Sequence, residues 1–300
     1  MRYSLTIRDE VFANRVMVAS GTFGYGLEFN DYFPVNRLGG ICVKGLSLKG
    51  SLGNKMPRIT ETYGGMLNAI GLQNVGVATF IQEKLPRLQD LGAAVIANFY
   101  GNTLEEYAEC ARALSVDGVK ALEMNISCPN VKEGGIAFGS SVEATRKVVE
   151  AVRAVTEKPL IVKLSPNVAD IRPFAEAATL GGADSLSLIN TLIGMAIDVK
   201  TRLPKIANIT GGLSGPAIKP VGVRMVFQAS QVTDLPLIGI GGIMNRDDAL
   251  EYMLAGAAAV QVGTANFVDP CAALTILEEL EAYFDDNRID LNEFVGGVKV

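Results

Sequence analysis

Residues 120–164 read KALEMNISCPNVKEGGIAFGSSVEATRKVVEAVRAVTEKPLIVKL and contain a complete strand–helix–strand pattern. The runs Lys120–Ile126 and Leu160–Leu164 are almost continuously apolar, which is typical of parallel strands buried on both faces. Between them, Ser140 and Glu143 have the spacing of a capping box and predict the start of an amphipathic helix. The stretch therefore predicts two parallel strands joined by a crossover helix.

The same alternation of short apolar runs and amphipathic segments continues through all 300 residues. A second capping box, Thr103 with Glu106, begins another predicted helix. Eight strands, each followed by a helical segment, favour a closed (β/α)8 barrel of the TIM type over a doubly wound sheet. We expect residues 1–300 to form a single α/β domain of this kind. The predicted strands are Val16–Ser20, Gly40–Lys44, Ala93–Phe99, Lys120–Ile126, Leu160–Leu164, Asp184–Asn190, Pro236–Ile240 and Ala258–Val262.

The composition excludes several classes of protein. A net charge of −5 argues against a nucleic-acid partner, which requires a concentrated basic surface. No apolar stretch approaches the roughly 20 residues that span a bilayer, and the first residues do not resemble a signal peptide. We therefore expect a cytoplasmic protein without a membrane association.

The choice of catalytic residue types is equally restricted. The chain contains no histidine, which excludes Ser–His and Cys–His pairs and histidine-ligated metals. Its four cysteines include no C-x-x-C pair, so we expect no disulfide framework, no iron–sulfur site and no metal in this chain. Acid–base chemistry must then come from Cys, Lys, Tyr, Asp or Glu.

Three connections are too long to be simple turns. They follow the second, fourth and sixth predicted strands and cover Gly45–Val75, Ser127–Gly139 and Thr191–Lys219. All three leave the carboxyl ends of strands, the face on which barrel active sites are built. We expect these insertions to cover a substrate.

Glycines at the ends of the last two strands predict a phosphate site. Gly241 and Gly242 follow the seventh strand, and Gly263 with Thr264 follows the eighth. Either pair alone could serve a tight turn, but together they let backbone N–H groups approach an anion at the usual phosphate position of a barrel.

Lysines and asparagines at strand ends suggest the rest of the ligand. Lys44 and Lys163 lie in apolar strands, where they either extend to solvent or face an anion-binding pocket. Amides suit a planar ring that carries alternating carbonyl and N–H groups, although any one of them could brace a loop. The candidate amides are those of Asn68, Asn98, Asn125 and Asn190.

Cys128, directly after the fourth strand, is the candidate base. A free cysteine is usually a small buried apolar residue, and we interpret Cys42, Cys110 and Cys271 in that way. Because Cys128 begins a loop on the active face of a chain without histidine, its thiolate is the favoured proton acceptor.

These residues together resemble the dihydroorotate dehydrogenase family, over essentially the whole chain. The single glycine pairs are weak signals, whereas the ordered set of motifs is specific. The set comprises Ala19-Ser20-Gly21-Thr22, Asn68-Ala69-Ile70-Gly71-Leu72-Gln73-Asn74, Asn125-Ile126-Ser127-Cys128-Pro129-Asn130, Val162-Lys163-Leu164-Ser165-Pro166-Asn167, Ile189-Asn190-Thr191, Gly211-Gly212-Leu213-Ser214-Gly215, Gly241-Gly242 and Gly263-Thr264.

The resemblance implies an FMN cofactor over the barrel mouth. It places the phosphate at Gly241, Gly242, Gly263 and Thr264. It surrounds the ring and ribityl chain with Ser20, Lys44, Gly45, Asn98, Asn125, Lys163, Ile189 and Gly215.

The resemblance also implies the substrate and the reaction. Cys128 would remove a proton from C5 of (S)-dihydroorotate while hydride passes from C6 to flavin N5, which yields orotate for pyrimidine (UMP) biosynthesis. Cysteine in this role is similar to the soluble class 1 enzymes, whereas the membrane-associated class uses serine. Dihydroorotate would be bound by Lys44, Asn68, Ala69, Ile70, Gly71, Leu72, Asn125, Asn190 and Thr191.

Within the family, residues 68–74 resemble the NAD-linked type 1B rather than the fumarate-linked type. That type implies an electron-transfer subunit with FAD and a [2Fe–2S] cluster, bound to a homodimer of catalytic chains in a heterotetramer. NAD+ would then be the final acceptor.

Two alternatives stay open at this stage. One is another FMN-dependent pyrimidine oxidoreductase, similar to dihydropyrimidine dehydrogenase, from which a carboxylate-binding Lys44 would distinguish this chain. The other is a flavin-free, phosphate-binding barrel, either a lyase that uses Lys163 as a Schiff base or a non-catalytic binder.

Overall fold

The protein is described by a computed structural model that covers residues 2–127, 132–133 and 136–299. Eight parallel strands pair in chain order, and the eighth strand also pairs with the first, so the sheet closes into a barrel. This confirms the predicted (β/α)8 architecture. The barrel strands are β1 (Val16–Val18), β2 (Gly40–Cys42), β3 (Val95–Phe99), β4 (Val119–Asn125), β5 (Leu160–Lys163), β6 (Ser185–Leu188), β7 (Leu237–Ile240) and β8 (Ala257–Val262).

Helices surround the barrel. The first, α1, is continuous through Val77–Thr79, a π-helical turn at Phe80–Lys84, and Leu85–Asp90. The others are α2 (Leu104–Leu114), α3 (Val142–Arg153), α4 (Arg172–Leu180), α5 (Lys219–Ser230), α6 (Arg246–Leu254), α7 (Ala265–Val268), α8 (Ala272–Asn287) and α9 (Leu291–Phe294). Among the described residues, no helix combines the length and the apolar character that crossing a membrane requires.

One of the two predicted capping residues is confirmed and the other is wrong. Thr103 Oγ1 accepts a hydrogen bond of 3.2 Å from the Glu106 backbone N–H at the start of α2. At α3 the cap is Ser141 and not Ser140, because Ser140 belongs to a 3-10 turn. The extended backbone that an N-cap needs therefore falls one residue later, and Ser141 Oγ accepts from the Ala144 N–H.

The amino end of the barrel is closed by a hairpin of Leu5–Ile7 and Glu10–Phe12. Its apolar side chains form one buried cluster with inward-facing strand residues, among them Met17 and Ile161. Lys120, at the start of β4, makes an ion pair of 2.7 Å with Glu10 on the hairpin. The lower half of the barrel is therefore a packed apolar core.

At the carboxyl ends of the strands, which we call the mouth, two insertions build one antiparallel sheet. The insertion after β2 supplies Ile59–Thr62 and Gly65–Asn68, and the insertion after β6 supplies Leu192–Met195 and Thr210–Ser214. We call these four strands the roof sheet. Two short hairpins complete the insertions, Ile197–Asp198 with Leu203–Pro204, and Lys132–Glu133 with Ile136–Ala137 after β4.

Candidate active site

A carboxylate that the sequence analysis did not identify lies inside the barrel below the mouth. Glu123, on β4, is fully buried. Its Oε1 accepts hydrogen bonds from Asn98 Nδ2 at 2.7 Å and from Cys42 Sγ at 3.1 Å. Its Oε2 accepts from Ser187 Oγ at 3.0 Å and from Gln261 Nε2 at 2.8 Å. Four donors on four different strands thus fix one side chain.

Lys163 completes this cluster. Its Nζ lies 3.6 Å from Glu123 Oε1, and 6% of its side chain is exposed. Burial acts to raise the pKa of the Glu123 carboxyl, but the Lys163 charge and the donors Cys42, Gln261 and Asn98 outweigh it and hold that pKa below its ordinary value. Glu123 is therefore an ionised group in the interior.

Asn98 links the cluster to the mouth. While its Nδ2 donates to Glu123, its buried Oδ1 has no hydrogen-bond partner among the described residues. A Cβ at Gly45 would lie 2.7 Å from this oxygen, so glycine leaves the space beside it open. A buried acceptor without a partner is costly, and a ligand N–H would satisfy it.

Lys44 is a second cation at the mouth. Its Nζ would lie 3.6 Å from a Cβ on Gly21, and no ion pair joins it to a carboxylate in the part of the chain that the structure covers. Burial lowers the pKa of the Lys44 ammonium, and the charges of Arg58 and Lys163 lower it further. The site thus concentrates positive charge that an anionic ligand would balance.

The predicted amides of the fourth and sixth strands meet. Asn125 Oδ1 accepts from Ser127 Oγ at 2.6 Å, from the Ser127 N–H at 3.2 Å and from Asn190 Nδ2 at 3.4 Å. Asn190 Nδ2 also donates to Ser127 Oγ, and its Oδ1 accepts from the Thr191 N–H at 2.9 Å. This network holds the two amides side by side at the mouth.

The roof sheet brings the predicted substrate loop to the same place. Asn68 Nδ2 donates to the Gly212 carbonyl at 3.3 Å, and the Thr191 side chain packs against Gly212 on its other side. Beyond Asn68, the segment from Ala69 to Leu72 is tied down by hydrogen bonds to three of its backbone groups. These are Ala69 N–H to Arg58 carbonyl, Asn54 N–H to Ile70 carbonyl and Asn74 Nδ2 to Leu72 carbonyl, and Gly71 between them adopts φ +74°.

The predicted phosphate residues also converge. Gly241 and Gly242 adopt φ of +124° and +70°, and a Cβ at Gly242 would lie 2.8 Å from the Gly215 carbonyl oxygen. Thr264 Oγ1 donates to Ser214 Oγ at 2.9 Å, directly before Gly215. We call the backbone of Gly215, Gly241 and Gly242 the glycine cradle; none of the three contributes a side chain of its own, and the Lys219 Cβ lies close to Gly242.

The remaining predicted residues surround this cradle or fall outside the described structure. Ser20 follows β1 and is half-buried, while Ile189 is buried and donates its N–H to the Ile240 carbonyl at 3.0 Å. Gly263 follows β8, and a Cβ on it would lie 3.6 Å from the Ala19 Cβ. Cys128 lies outside the described residues, so its role stays a prediction; its neighbour Ser127 belongs to the amide network.

The donor set fits an FMN. Glycines with positive φ at one side of the mouth can admit a phosphate, and the unpartnered Asn98 oxygen beside Lys163 can receive a polar heterocycle. A second, anionic molecule with carbonyl and N–H groups could bind Lys44, which has no carboxylate partner among the described residues, and the joined amides of Asn125 and Asn190.

Comparison with known proteins agrees with this chemistry. The family profile described as Dihydroorotate dehydrogenase matches residues 3–284. The chain is 61% identical over 299 residues to a protein of Geotalea daltonii named Dihydroorotate dehydrogenase B (NAD(+)), catalytic subunit, with 99% of this chain and 98% of that protein covered. Proteins of the same name from Geotalea uraniireducens (61% over 287 residues, 95% and 94% covered) and Geobacter sulfurreducens (58% over 299 residues, 99% and 98% covered) are also similar.

Proposed function

The chain belongs to the dihydroorotate dehydrogenase family, and from this premise we propose that it oxidises (S)-dihydroorotate to orotate in pyrimidine (UMP) biosynthesis. NAD+ is the final electron acceptor, as in the names of its relatives. Residues 1–300 would form a single FMN-binding barrel domain.

FMN would supply the hydride acceptor for this oxidation. The glycine cradle and Thr264 would hold its phosphate through backbone N–H groups and a hydroxyl. Asn98 would offer its free acceptor to a ring N–H, and Lys163 would supply positive charge at the ring edge. Ser20, Lys44, Gly45, Asn125, Ile189 and Gly215 would line the remaining surface of the cofactor.

Dihydroorotate would occupy the space between the roof sheet and the strand ends. Lys44 would pair with the carboxylate of dihydroorotate, because the Lys44 ammonium group is largely buried and the charged groups near it, Arg58 and Lys163, are cations. Asn125 and Asn190, fixed by Ser127, would orient the ring, and Asn68 and Thr191 would enclose it from the roof side. Orientation of this kind accounts for a large share of an enzyme's rate enhancement.

Cys128 would take the proton from C5 of the substrate as the catalytic base. It directly follows Ser127, whose hydroxyl lies in the network with Asn125 and Asn190. A thiolate in this role would act at a carbon next to the carbonyl that the amides orient. Lys163 is poorly suited to the Schiff-base alternative, because its amine lies against a carboxylate inside the barrel.

Electrons would leave through another protein. The relatives are named as catalytic subunits, which supports a separate partner subunit. We propose that this subunit carries FAD and a [2Fe–2S] cluster and attaches to a homodimer of this chain in a cytoplasmic heterotetramer. The chain itself has no C-x-x-C pair with which to hold such a cluster.

The observation that carries this proposal is a barrel mouth that holds both the Lys44 cation, which has no carboxylate partner among the described residues, and the joined Asn125 and Asn190 amides. The test is an absorbance spectrum of the purified chain, followed by anaerobic addition of dihydroorotate or of dihydrouracil, which lacks the carboxylate. We expect a yellow protein that bleaches with dihydroorotate only, and whose colour NAD+ does not restore without the partner subunit. Bleaching with dihydrouracil alone would instead favour the dihydropyrimidine dehydrogenase-like alternative, and a chain that cannot take up FMN would contradict the proposal.

A further inference from the structure

We propose that Glu123 is a positioning residue for the flavin site, which orients Asn98 and offsets the charge of Lys163. This inference rests on the proposed function, because it assumes that FMN binds at the mouth. Glu123 itself lies one layer below the mouth and reaches the ligand only through its two neighbours.

The position of Glu123 in the barrel is unusual for a charge. Its partners Cys42, Ser187 and Gln261 lie on β2, β6 and β8, and Glu123 lies on β4, so the four form one layer from alternate strands. Such layers are ordinarily filled by branched aliphatic side chains. A buried ion pair adds little net stability compared with apolar packing, so we expect the Glu123–Lys163 pair to act on the groups at the mouth instead.

The first consequence concerns the orientation of the Asn98 amide. Glu123 Oε1 accepts from Asn98 Nδ2 at 2.7 Å, and an amide turned the other way would place its oxygen against a carboxylate. The carboxylate therefore forces Asn98 to present Oδ1 to the mouth, where it has no partner among the described residues. Asn98 becomes an acceptor for a ring N–H by this arrangement.

The second consequence is electrostatic. Lys163 and Lys44 both carry positive charge near the mouth, and Lys163 is one of the cations that lower the pKa of Lys44. Glu123, 3.6 Å from Lys163 Nζ, offsets one of these two charges. By offsetting the Lys163 charge, Glu123 would leave less net positive charge to stabilise a reduced flavin ring, which would limit how strongly the reduced form is favoured.

Glu123→Gln tests the charge while keeping the size of the side chain. We expect the variant to bind FMN and to have a more positive flavin midpoint potential. At a fixed ratio of oxidised to reduced reference dye, its ratio of reduced to oxidised flavin should rise by about tenfold. The measurement is an anaerobic reduction of the flavin-loaded protein in the presence of that dye, which does not depend on turnover.

Two control variants separate charge from packing. Glu123→Asp keeps the charge, and Cys42→Ser keeps a donor to Oε1; both should stay close to the wild-type potential. A wild-type potential in Glu123→Gln, or an equal shift in Glu123→Asp, would overturn the inference.

A second variant covers the case in which Glu123→Gln does not fold. Ser187→Ala removes a donor from Oε2 and so disfavours the ionised carboxylate, and the potential should move in the same positive direction as in Glu123→Gln but by less. An unchanged or more negative potential in that variant would also overturn the inference. Failure of the wild-type chain to bind FMN would instead contradict the proposed function.

Discussion

Thr264 Oγ1 donates a hydrogen bond of 2.9 Å to Ser214 Oγ, and this contact joins the second residue after β8 to the end of a roof strand. Gly215, directly after Ser214, then faces Gly242 across the cradle. The proposed phosphate site is therefore built from the barrel and the roof together, and a change in either should alter the binding of the cofactor.

The cradle can be tested with a pair of glycine variants that both introduce backbone strain. Gly242 has φ +70°, and a Cβ on it would lie 2.8 Å from the Gly215 oxygen, so Gly242→Ala should narrow the cradle and weaken FMN binding by tenfold or more (~1.4 kcal/mol or above). Gly256→Ala is the control, since Gly256 has φ +115° and would crowd Ser230 at 2.7 Å, at the amino end of β8. Both variants should be less stable than the wild type, and only Gly242→Ala should bind FMN more weakly. Fluorescence titration measures the FMN affinity, and equal affinities in the two variants would contradict a phosphate site at this cradle.

The assignment of the base is tested by Cys128→Ala. We expect the variant to bind FMN normally and to reduce it with dihydroorotate about 100-fold to 10,000-fold more slowly, the usual contribution of a general base. Cys271→Ala is the matched control, because Cys271 is a half-buried cysteine at the start of α8 to which no role in catalysis is assigned. Stopped-flow absorbance of the flavin measures both rates, and a rapid reduction in Cys128→Ala would show that another group takes the proton.

The charge of Lys44 predicts a pH dependence of orotate binding. The protonated amine binds the carboxylate, and burial together with Arg58 and Lys163 lowers the Lys44 pKa, so affinity should fall with rising pH earlier than for an ordinary lysine. Arg58→Gln removes one cation and should move the fall to higher pH. Lys44→Met should bind orotate about tenfold to 100-fold more weakly and lose this step in the profile. The measurement is the dissociation constant of orotate over a pH series, followed by the change in flavin absorbance. A wild-type pH profile in Lys44→Met would contradict the assignment of Lys44 to the carboxylate.

A partly buried ion pair between Asp184, directly before β6, and Arg153, at the end of α3, should contribute to stability. Asp184 Oδ2 accepts from an Arg153 guanidinium nitrogen and from the Leu160 N–H at 2.7 and 2.8 Å. Asp184→Asn should lower the free energy of unfolding by about 1–3 kcal/mol, because it weakens two bonds to a largely buried carboxylate. Glu143→Gln, in an exposed pair with Lys147, should leave the free energy of unfolding nearly unchanged. Urea unfolding measures both, and equal effects would mean that the Asp184 pair is no stronger than a surface one.

Local pattern was enough to predict the barrel. All eight predicted strands are present, since eight apolar runs separated by helical segments have few other solutions. The predicted ends were less accurate: β4 and β8 begin one residue earlier than predicted, and the run Gly40–Lys44 ends as a strand at Cys42, where the Lys44 N–H donates to the Gly24 carbonyl in the loop after β1. Lys44 and the strand-end asparagines could be placed at the mouth because they lie at the carboxyl ends of strands, and that position does not depend on the conformation of the loops.

Glu123 and the roof sheet could not be predicted in the same way. A single glutamate does not interrupt an apolar run, so the run indicates only a strand. The spacing of two residues between Glu123 and Asn125 places both side chains on the inward face of that strand, and this alternation is the signal from which the buried Glu123 could have been predicted. The roof sheet had no such signal, because it pairs Leu67 with Leu213, and partners so distant in sequence leave no local periodicity.

The roof sheet also has a consequence for the order of folding. Asn68 and Gly212 pair across 144 residues of chain, and β3, β4, β5 and β6 all lie between them. Closing so long a loop is unfavourable until the intervening strands have assembled, so we expect the roof to form after β3 to β6. In a pulsed hydrogen-exchange experiment, the amides of Leu67 and Leu213 should gain protection later than those of Leu122 and Val162 in the intervening strands. A newly made chain would therefore complete its roof only after the strands beneath it have paired.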